Sequence, residues 1–333
     1  MVWVEFLISA AIITFASMQL AKYGDVIGLR TKLGGAFAGT LLLASATSLP
    51  ELITTITAVR TGIPQLAAGN LFGSNMFNIL LLAVLDLYHY RRRITRKNAE
   101  KHALSGSLTV LMGVLAIFFL LAQLPYQVKI GSFVVGADAL VMIAAYLLAM
   151  SVLRKQSRVA AIHTTEEDIP DDIPSLKTAI LWFLGAIGVL LFVTPWMVDA
   201  SGRIAEITGL GATFVGSTLV AVVTSLPEMV TTISAAKIGA DDMAIGNLFG
   251  SNMFNTFGLG IADFFFQGGR FFAVIEPSFL LVGTIGLLMT VFALISTLAR
   301  LERRILFIEV DSLILILAYF GGLALLYARG IAP

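Results

Sequence analysis

The chain has 333 residues, 58% of them hydrophobic and only 13% charged, with a formal net charge of +1 and a mean hydropathy of +0.91. A soluble domain carries about 25% charged residues, so this composition excludes an ordinary soluble fold and points to a bilayer. Cysteine is absent, which removes disulfides, thiolate nucleophiles and Cys-based metal sites, and no basic cluster interleaved with aromatics suggests nucleic acid.

Apolar runs of about 20 residues are long enough to cross a membrane as helices. They recur near 2–21, 34–60, 64–87, 103–123, 132–154, 177–198, 206–237, 241–266, 275–297 and 305–328. The pattern predicts an all-α polytopic membrane protein with about ten transmembrane helices. The opening MVWVEFLISA lacks a basic n-region, so the first run is expected to be a retained helix. The second and third runs carry the polar strings Thr47-Ser48-Leu49-Pro50-Glu51 and GNLFGSNMFN, the latter from Gly69 to Asn78. Between the fifth and sixth runs, residues 155–176 include TTEEDIPDDIP. Glu166, Glu167, Asp168, Asp171 and Asp172 there read as a solvated cytoplasmic linker, without the spacing or central glycine of an EF-hand loop. The seventh and eighth runs bring the strings back as Thr224-Ser225-Leu226-Pro227-Glu228 and Gly246 to Asn255.

Residues 39–78 and 216–255 align without a gap at an offset of 177, with 24 of 40 positions identical. The repeat divides the chain into a first five-helix half at 1–154, the linker at 155–176 and a second five-helix half at 177–333. An odd number of helices per half makes the second copy enter from the opposite face, so the two motifs are expected to meet near the midplane across inverted repeats. Of the 22 Lys and Arg residues, only Arg60, Lys129, Arg203, Arg270 and Arg329 fall on the side of the N-terminus. The positive-inside rule then puts both termini outside the cytoplasm of a cell (inner or plasma) membrane.

A proline inside a helix removes one backbone donor and disturbs the carbonyl four residues earlier. Pro50 and Pro227 are therefore expected to free carbonyls around Ala46, Thr47, Val223 and Thr224. Beside each break stand two hydroxyls and a carboxylate, and Ser74 and Asn78 share one helix face across from them. Together the copies offer carboxylates, hydroxyls, amide oxygens and backbone carbonyls, a set suited to a hard cation such as Ca2+ or Na+. Glu51 and Glu228 lie far from any span end, where a carboxylate is costly unless it is used. Glu5, Asp86, Asp138, Asp199, Asp263 and Asp311 fall near span ends, where interfacial water is expected to solvate them. Asn70, Asn247, Asn75 and Asn252 are expected to be interhelical hydrogen bonders. An intramembrane hydrolase is disfavoured, since neither HExxH nor GxSxG occurs. A cation channel would use the same oxygens, but internal duplication makes an oligomeric pore unnecessary.

With the two paired signatures in view, the chain resembles the cation/Ca2+ antiporter superfamily, and within it the prokaryotic Na+/Ca2+ exchangers. The resemblance implies one Ca2+ site flanked by Na+ sites and exposed to alternate sides by sliding of the first and sixth helices. It implies Ca2+ ligation by Glu51 and Glu228 with the carbonyls of Thr47 and Thr224. It further implies Na+ positions drawing on Ala44, Ser48, Ser74, Ala221, Ser225 and Ser251, with Asn78 and Asn255 completing the centre. No enzymatic activity, cofactor or obligatory protein partner is expected; the transported ions and the lipid bilayer are the partners. Similar prokaryotic exchangers and the K+-dependent branch often carry Asp where Asn255 stands, which leaves H+/Ca2+ and K+-dependent exchange open beside Na+/Ca2+ exchange.

Overall fold

A computed structural model describes residues 1–31, 43–88, 99–131, 133–161, 173–237, 241–299, 304–305 and 308–330. The chain is mostly helical. Long apolar helices run over Val2–Arg30 (α1), Pro64–Tyr88 (α3), Ala99–Ala122 (α4), Ala137–Ala161 (α5), Leu176–Thr208 (α6), Ser278–Ala299 (α12) and Val310–Gly330 (α13), with the shorter Leu49–Arg60 (α2) after α1. Between α6 and α12 come Gly211–Val215 (α7), a π-helical turn at Gly216–Val220, Ala221–Thr224 (α8), Leu226–Lys237 (α9), Asp241–Phe265 (α10) and Phe271–Val274 (α11).

Among the described residues, seven helices are long and apolar enough to cross a membrane. An eighth candidate is the broken pair Gly211–Thr224 and Leu226–Lys237, bent by 42°. α10 falls outside that set because Asp, Asn and Ser dilute its apolar character. The span expected at 34–60 enters the described residues only at position 43, and the acidic linker residues lie outside them. α5 runs to Ala161, past the boundary expected at 154. α6 has 33 residues, about 50 Å of helix at 1.5 Å per residue, and is longer than a bilayer core. It stops at Gly209, whose φ of +67° is left-handed backbone that only glycine adopts freely.

Two short antiparallel hairpins amend the all-α expectation. Gln127–Ile130 (β1) pairs with Phe133–Gly136 (β2), and Arg304–Ile305 (β3) with Ile308–Glu309 (β4). The first occupies the start of the span expected at 132–154.

The acids near span ends are a correction. Asp138, Asp263 and Asp311 are buried rather than bathed by interfacial water. Asp138 pairs with Arg270 at 3.2 Å. Asp263 accepts from the backbone amides of Gly136 and Phe271, which ties β2 to the loop before α11. Asp311 accepts from the Ser296 hydroxyl and the Ser312 amide. Carboxylates with such partners tolerate burial that solvation would otherwise oppose. Glu5 and Asp199 do stay exposed, paired with Arg203; the side chain of Asp86 lies outside the described set.

α3 forms the centre of the molecule, with 89% of its apolar window buried, against 22–44% for the other six spans. Leu66, Leu71, Met76, Ile79 and Leu85 are sealed along it. Glycine makes the closest approach possible. A Cβ on Gly73 would stand 2.5 Å from the Ser217 carbonyl oxygen, and one on Gly216 would stand 2.7 Å from that of Leu66. The stretch 216–221 therefore lies directly on α3.

Candidate cation site

Both Pro–Glu motifs fold alike. Ser48 and Ser225 leave helical geometry at φ/ψ of −90°/4° and −88°/5°. Each is followed by a helix with proline in its first turn, where a missing N–H costs nothing. Pro50 and Pro227 lack the donor that the carbonyls of Ala46 and Val223 would otherwise receive. The break turns the next residues inward, and Glu51 and Glu228 are both fully buried.

Each carboxylate is completed by the opposite half. The Ser48 hydroxyl donates to Glu228 Oε1 at 2.9 Å, and the Ser225 hydroxyl donates to Glu51 Oε1 at 2.9 Å. Ser251 adds a longer contact of 3.4 Å to Glu228 Oε1. The crossed bonds bring the two carboxylates into one buried cluster. Around them, Thr224 donates to Asn70 Oδ1 at 2.9 Å and Thr47 to Asn247 Oδ1 at 3.4 Å, again across the halves. Thr47 also meets Ser251 at 3.5 Å. The Asn70 amide holds the Glu51 carbonyl at 3.0 Å. Ser74 reaches the Ala221 carbonyl at 3.4 Å, while the Ala44 carbonyl accepts from Thr47 and from the Ser48 amide.

The remaining expected residues, Asn78 and Asn255, are buried in the same region but bond to none of the others. Asn78 Nδ2 donates to Asn252 Oδ1 at 3.0 Å, and neither polar atom of the Asn255 side chain has a partner. The four asparagines expected to bridge helices do so: Asn70, Asn247, Asn75 and Asn252 each donate to another helix or to the neighbouring turn of the site. Sequence reasoning passed over Thr54, Thr232 and Ser217, whose buried hydroxyls have no partner. Thr54 and Thr55 stand three and four residues after Glu51, one helical turn on, and that spacing was the available signal.

The oxygens left over define the chemistry. Glu51 Oε2, Glu228 Oε2, Asn78 Oδ1 and Asn255 Oδ1 are all buried acceptors without a donor. Among the described residues neither glutamate pairs with Lys, Arg or His, and no third acid or His joins them in a metal-binding group. Buried acceptors of this kind are costly unless something positive meets them. A neutral substrate would leave both buried carboxylates without a counter-charge. The cluster fits a hard cation, with up to two negative charges to match.

The chain is similar to known exchangers. Residues 1–154 and 178–328 match the family model for sodium/calcium exchanger protein. The putative antiporter CaxA of Alkalimonas amylolytica is 27% identical over 300 residues, 87% of each chain. The H+/Ca2+ exchanger CAX has the same fold, with a TM-score of 0.74 at 13% identity over 99% of this chain and 85% of its own. So has the sodium-calcium exchanger NCX_Mj, with a TM-score of 0.62 at 20% identity over 97% of this chain and 99% of its own.

Proposed function

The chain belongs to the sodium/calcium exchanger protein family, and from that premise we propose that it is a secondary antiporter exchanging Ca2+ for Na+ across a cell membrane. The carrying observation is the reciprocal pair of bonds from Ser48 to Glu228 and from Ser225 to Glu51. It makes one site out of both halves. In this reading about ten spans form two inverted five-helix repeats, 1–154 and 177–333, joined by a cytoplasmic linker, with both termini on the outer side.

Glu51 and Glu228 hold the cation with their free Oε2 atoms. The carbonyls of Thr47 and Thr224 and the amide oxygens of Asn78 and Asn255 contribute further ligands. Ser48, Ser74, Ser225 and Ser251, with the carbonyls of Ala44 and Ala221, serve the flanking Na+ positions. Two carboxylates balance one Ca2+ or two Na+, so the two cargoes compete for the same charge. Such competition, with the site open to one side at a time as α1 and α6 slide, is what exchange requires. The hydroxyls beside each glutamate favour Na+ as the counter-ion, because they supply the uncharged oxygens that a small monovalent cation takes in addition to carboxylate.

Reconstituted in liposomes, the protein is expected to take up Ca2+ down an outward Na+ gradient. Glu51→Gln and Glu228→Gln should each abolish that flux. Uptake that ignores Na+ and follows a pH gradient would instead assign proton coupling.

A further inference from the structure

The duplication at an offset of 177 lets every contact in one half be compared with its counterpart in the other. Two contacts near the carboxylates come in matched pairs, Ser48–Glu228 with Ser225–Glu51 and Thr47–Asn247 with Thr224–Asn70, while others differ between the halves; among the latter, one leaves both atoms of its counterpart stranded. Asn78 Nδ2 donates to Asn252 Oδ1 at 3.0 Å. Shifted by 177, the counterpart would be a bond from Asn255 Nδ2 to Asn75 Oδ1. It is not formed, and those same two atoms, Asn255 Nδ2 and Asn75 Oδ1, are both buried without a partner. The Asn75 amide nitrogen instead makes a long 3.5 Å contact with Thr256, while Asn252 Nδ2 is held by the Asn75 carbonyl at 3.1 Å. One half of the device is closed, and the other is broken at a matching bond.

Asn75 also has room to move. It lines a small cavity of about 30 Å³ between α3, α4, α10 and α12, with Asn252, Thr109, Gly113, Gly286 and Thr290. These residues fall into pairs at the repeat offset, Asn75 with Asn252, Thr109 with Gly286 and Gly113 with Thr290. The cavity therefore sits where the two halves face each other, with Thr and Gly exchanged between two of the paired positions.

We propose that Asn75 and Asn252 are alternating positioning residues: Asn252 holds Asn78 in the state seen here, and Asn75 takes hold of Asn255 in the state that opens the site to the other side. The proposal rests on the exchange reading above. In a molecule built of two copies, the second access state is reached by the halves trading conformations, so each asymmetric contact reverses. Holding Asn78 by its amide nitrogen aims its free oxygen, Asn78 Oδ1, away from the bond. Releasing Asn255 leaves that ligand loose. Each access state thus has one fixed and one free amide ligand, and the exchange between them passes through these two asparagines.

Because the chain has no cysteine, a spin-label pair can be introduced uniquely, at Ile207 near the end of α6 and Leu121 near the end of α4, both exposed. Distance distributions of the reconstituted protein then report the ratio of the two access states. Asn252→Ala should shift the ratio away from the present state. Asn75→Ala should shift it toward the present state, each by roughly two- to tenfold, the range one buried hydrogen bond supports. The double variant should return close to the parent ratio. Asn75→Ser and Asn252→Ser carry the same expectation should an alanine variant fold poorly. Shifts in the same direction, or no shift, overturn the proposal. Na+-driven Ca2+ flux through the labelled parent protein tests the exchange reading separately, since flux can persist while the asparagine shifts coincide, and opposed shifts can persist without Na+ coupling.

Discussion

Gly73→Ala adds one methyl group where the structure has least room for it. The new Cβ would meet the Ser217 carbonyl oxygen at 2.5 Å, Ser217 Cα at 2.6 Å and Ala221 Cβ at 2.8 Å. Comfortable contacts begin near about 3.5 Å, so α3 and the 216–221 stretch must separate by about 1 Å. Two of the three obstructing atoms are backbone, and no rotamer change relieves them. Overpacking costs about 1–3 kcal/mol, and a rigid backbone obstacle places this variant at the upper end. The displacement is aimed at the site, because 216–221 leads into Thr224, Ser225 and Glu228. The Ser74 contact to the Ala221 carbonyl, already 3.4 Å, would open first. Expected is a thermal midpoint several degrees lower, with Ca2+ flux in liposomes reduced at least tenfold although no proposed ligand has changed. Gly188→Ala in α6 is the control. A Cβ there meets nothing within 4 Å, and replacing a helical glycine stabilises by up to about 1 kcal/mol. A Gly73→Ala protein with the parent's midpoint and flux would refute the claim that this contact sets the position of the second glutamate motif.

Two further outcomes follow from the same geometry. Ser48→Ala and Ser225→Ala each remove a hydroxyl bonded at 2.9 Å to the glutamate of the other half; at about 1.5–3 kcal/mol for a hydrogen bond to a charged group, each should weaken apparent cation affinity by roughly ten- to hundredfold in flux titrations. Arg270→Ala leaves Asp138 fully buried without its cation, a change costing about 3–5 kcal/mol, and the added substitution Asp138→Asn should recover most of that loss in a thermal unfolding measurement.

The location of the site was legible in the sequence because polar residues inside a bilayer span stand out against their surroundings. Glu51, Ser48 and their copies needed no structure to be noticed, and Pro50 and Pro227 marked where the helices would break. Sequence could not show who bonds to whom. That Ser48 serves Glu228 rather than Glu51, three residues away, depends on how α2 and α9 approach each other, and no periodicity records such a contact. The buried acids were misplaced for a related reason. Position near a span end suggests solvation, but Asp138 and Asp263 are buried, and each has a partner far along the chain: Arg270 lies 132 residues from Asp138, and the Gly136 amide on β2 lies 127 residues from Asp263. The π-helical turn at 216–220 was equally hidden. GSTLV has no proline or other local signal for it; packing of Gly216 and Ser217 onto α3 accompanies the widened turn.

The crossed arrangement of serines and glutamates also bears on how the molecule avoids a half-built site. Within one half, Glu51 would be a buried carboxylate lacking its hydroxyl donor, because Ser225 belongs to the other copy. Glu228 stands in nearly the same relation to Ser48, keeping from its own half only the longer Ser251 contact. Neither half can bury its charge cheaply alone, so the two carboxylates are desolvated only when the halves are docked. Docking them then gathers two carboxylates in one buried cluster, where like charges oppose each other, and no side-chain cation among the described residues relieves them. The interaction that brings the halves together therefore raises the demand for a positive ion between them. A bound cation acts as a third component of the interface, stabilising the docked state by an amount that grows with its occupancy. Heating the protein in Ca2+ should accordingly raise its unfolding midpoint progressively with concentration, an effect that Glu228→Gln should flatten. A midpoint indifferent to Ca2+ would mean that the repulsion is met by a proton instead, and that the cation adds nothing to the joining of the two halves.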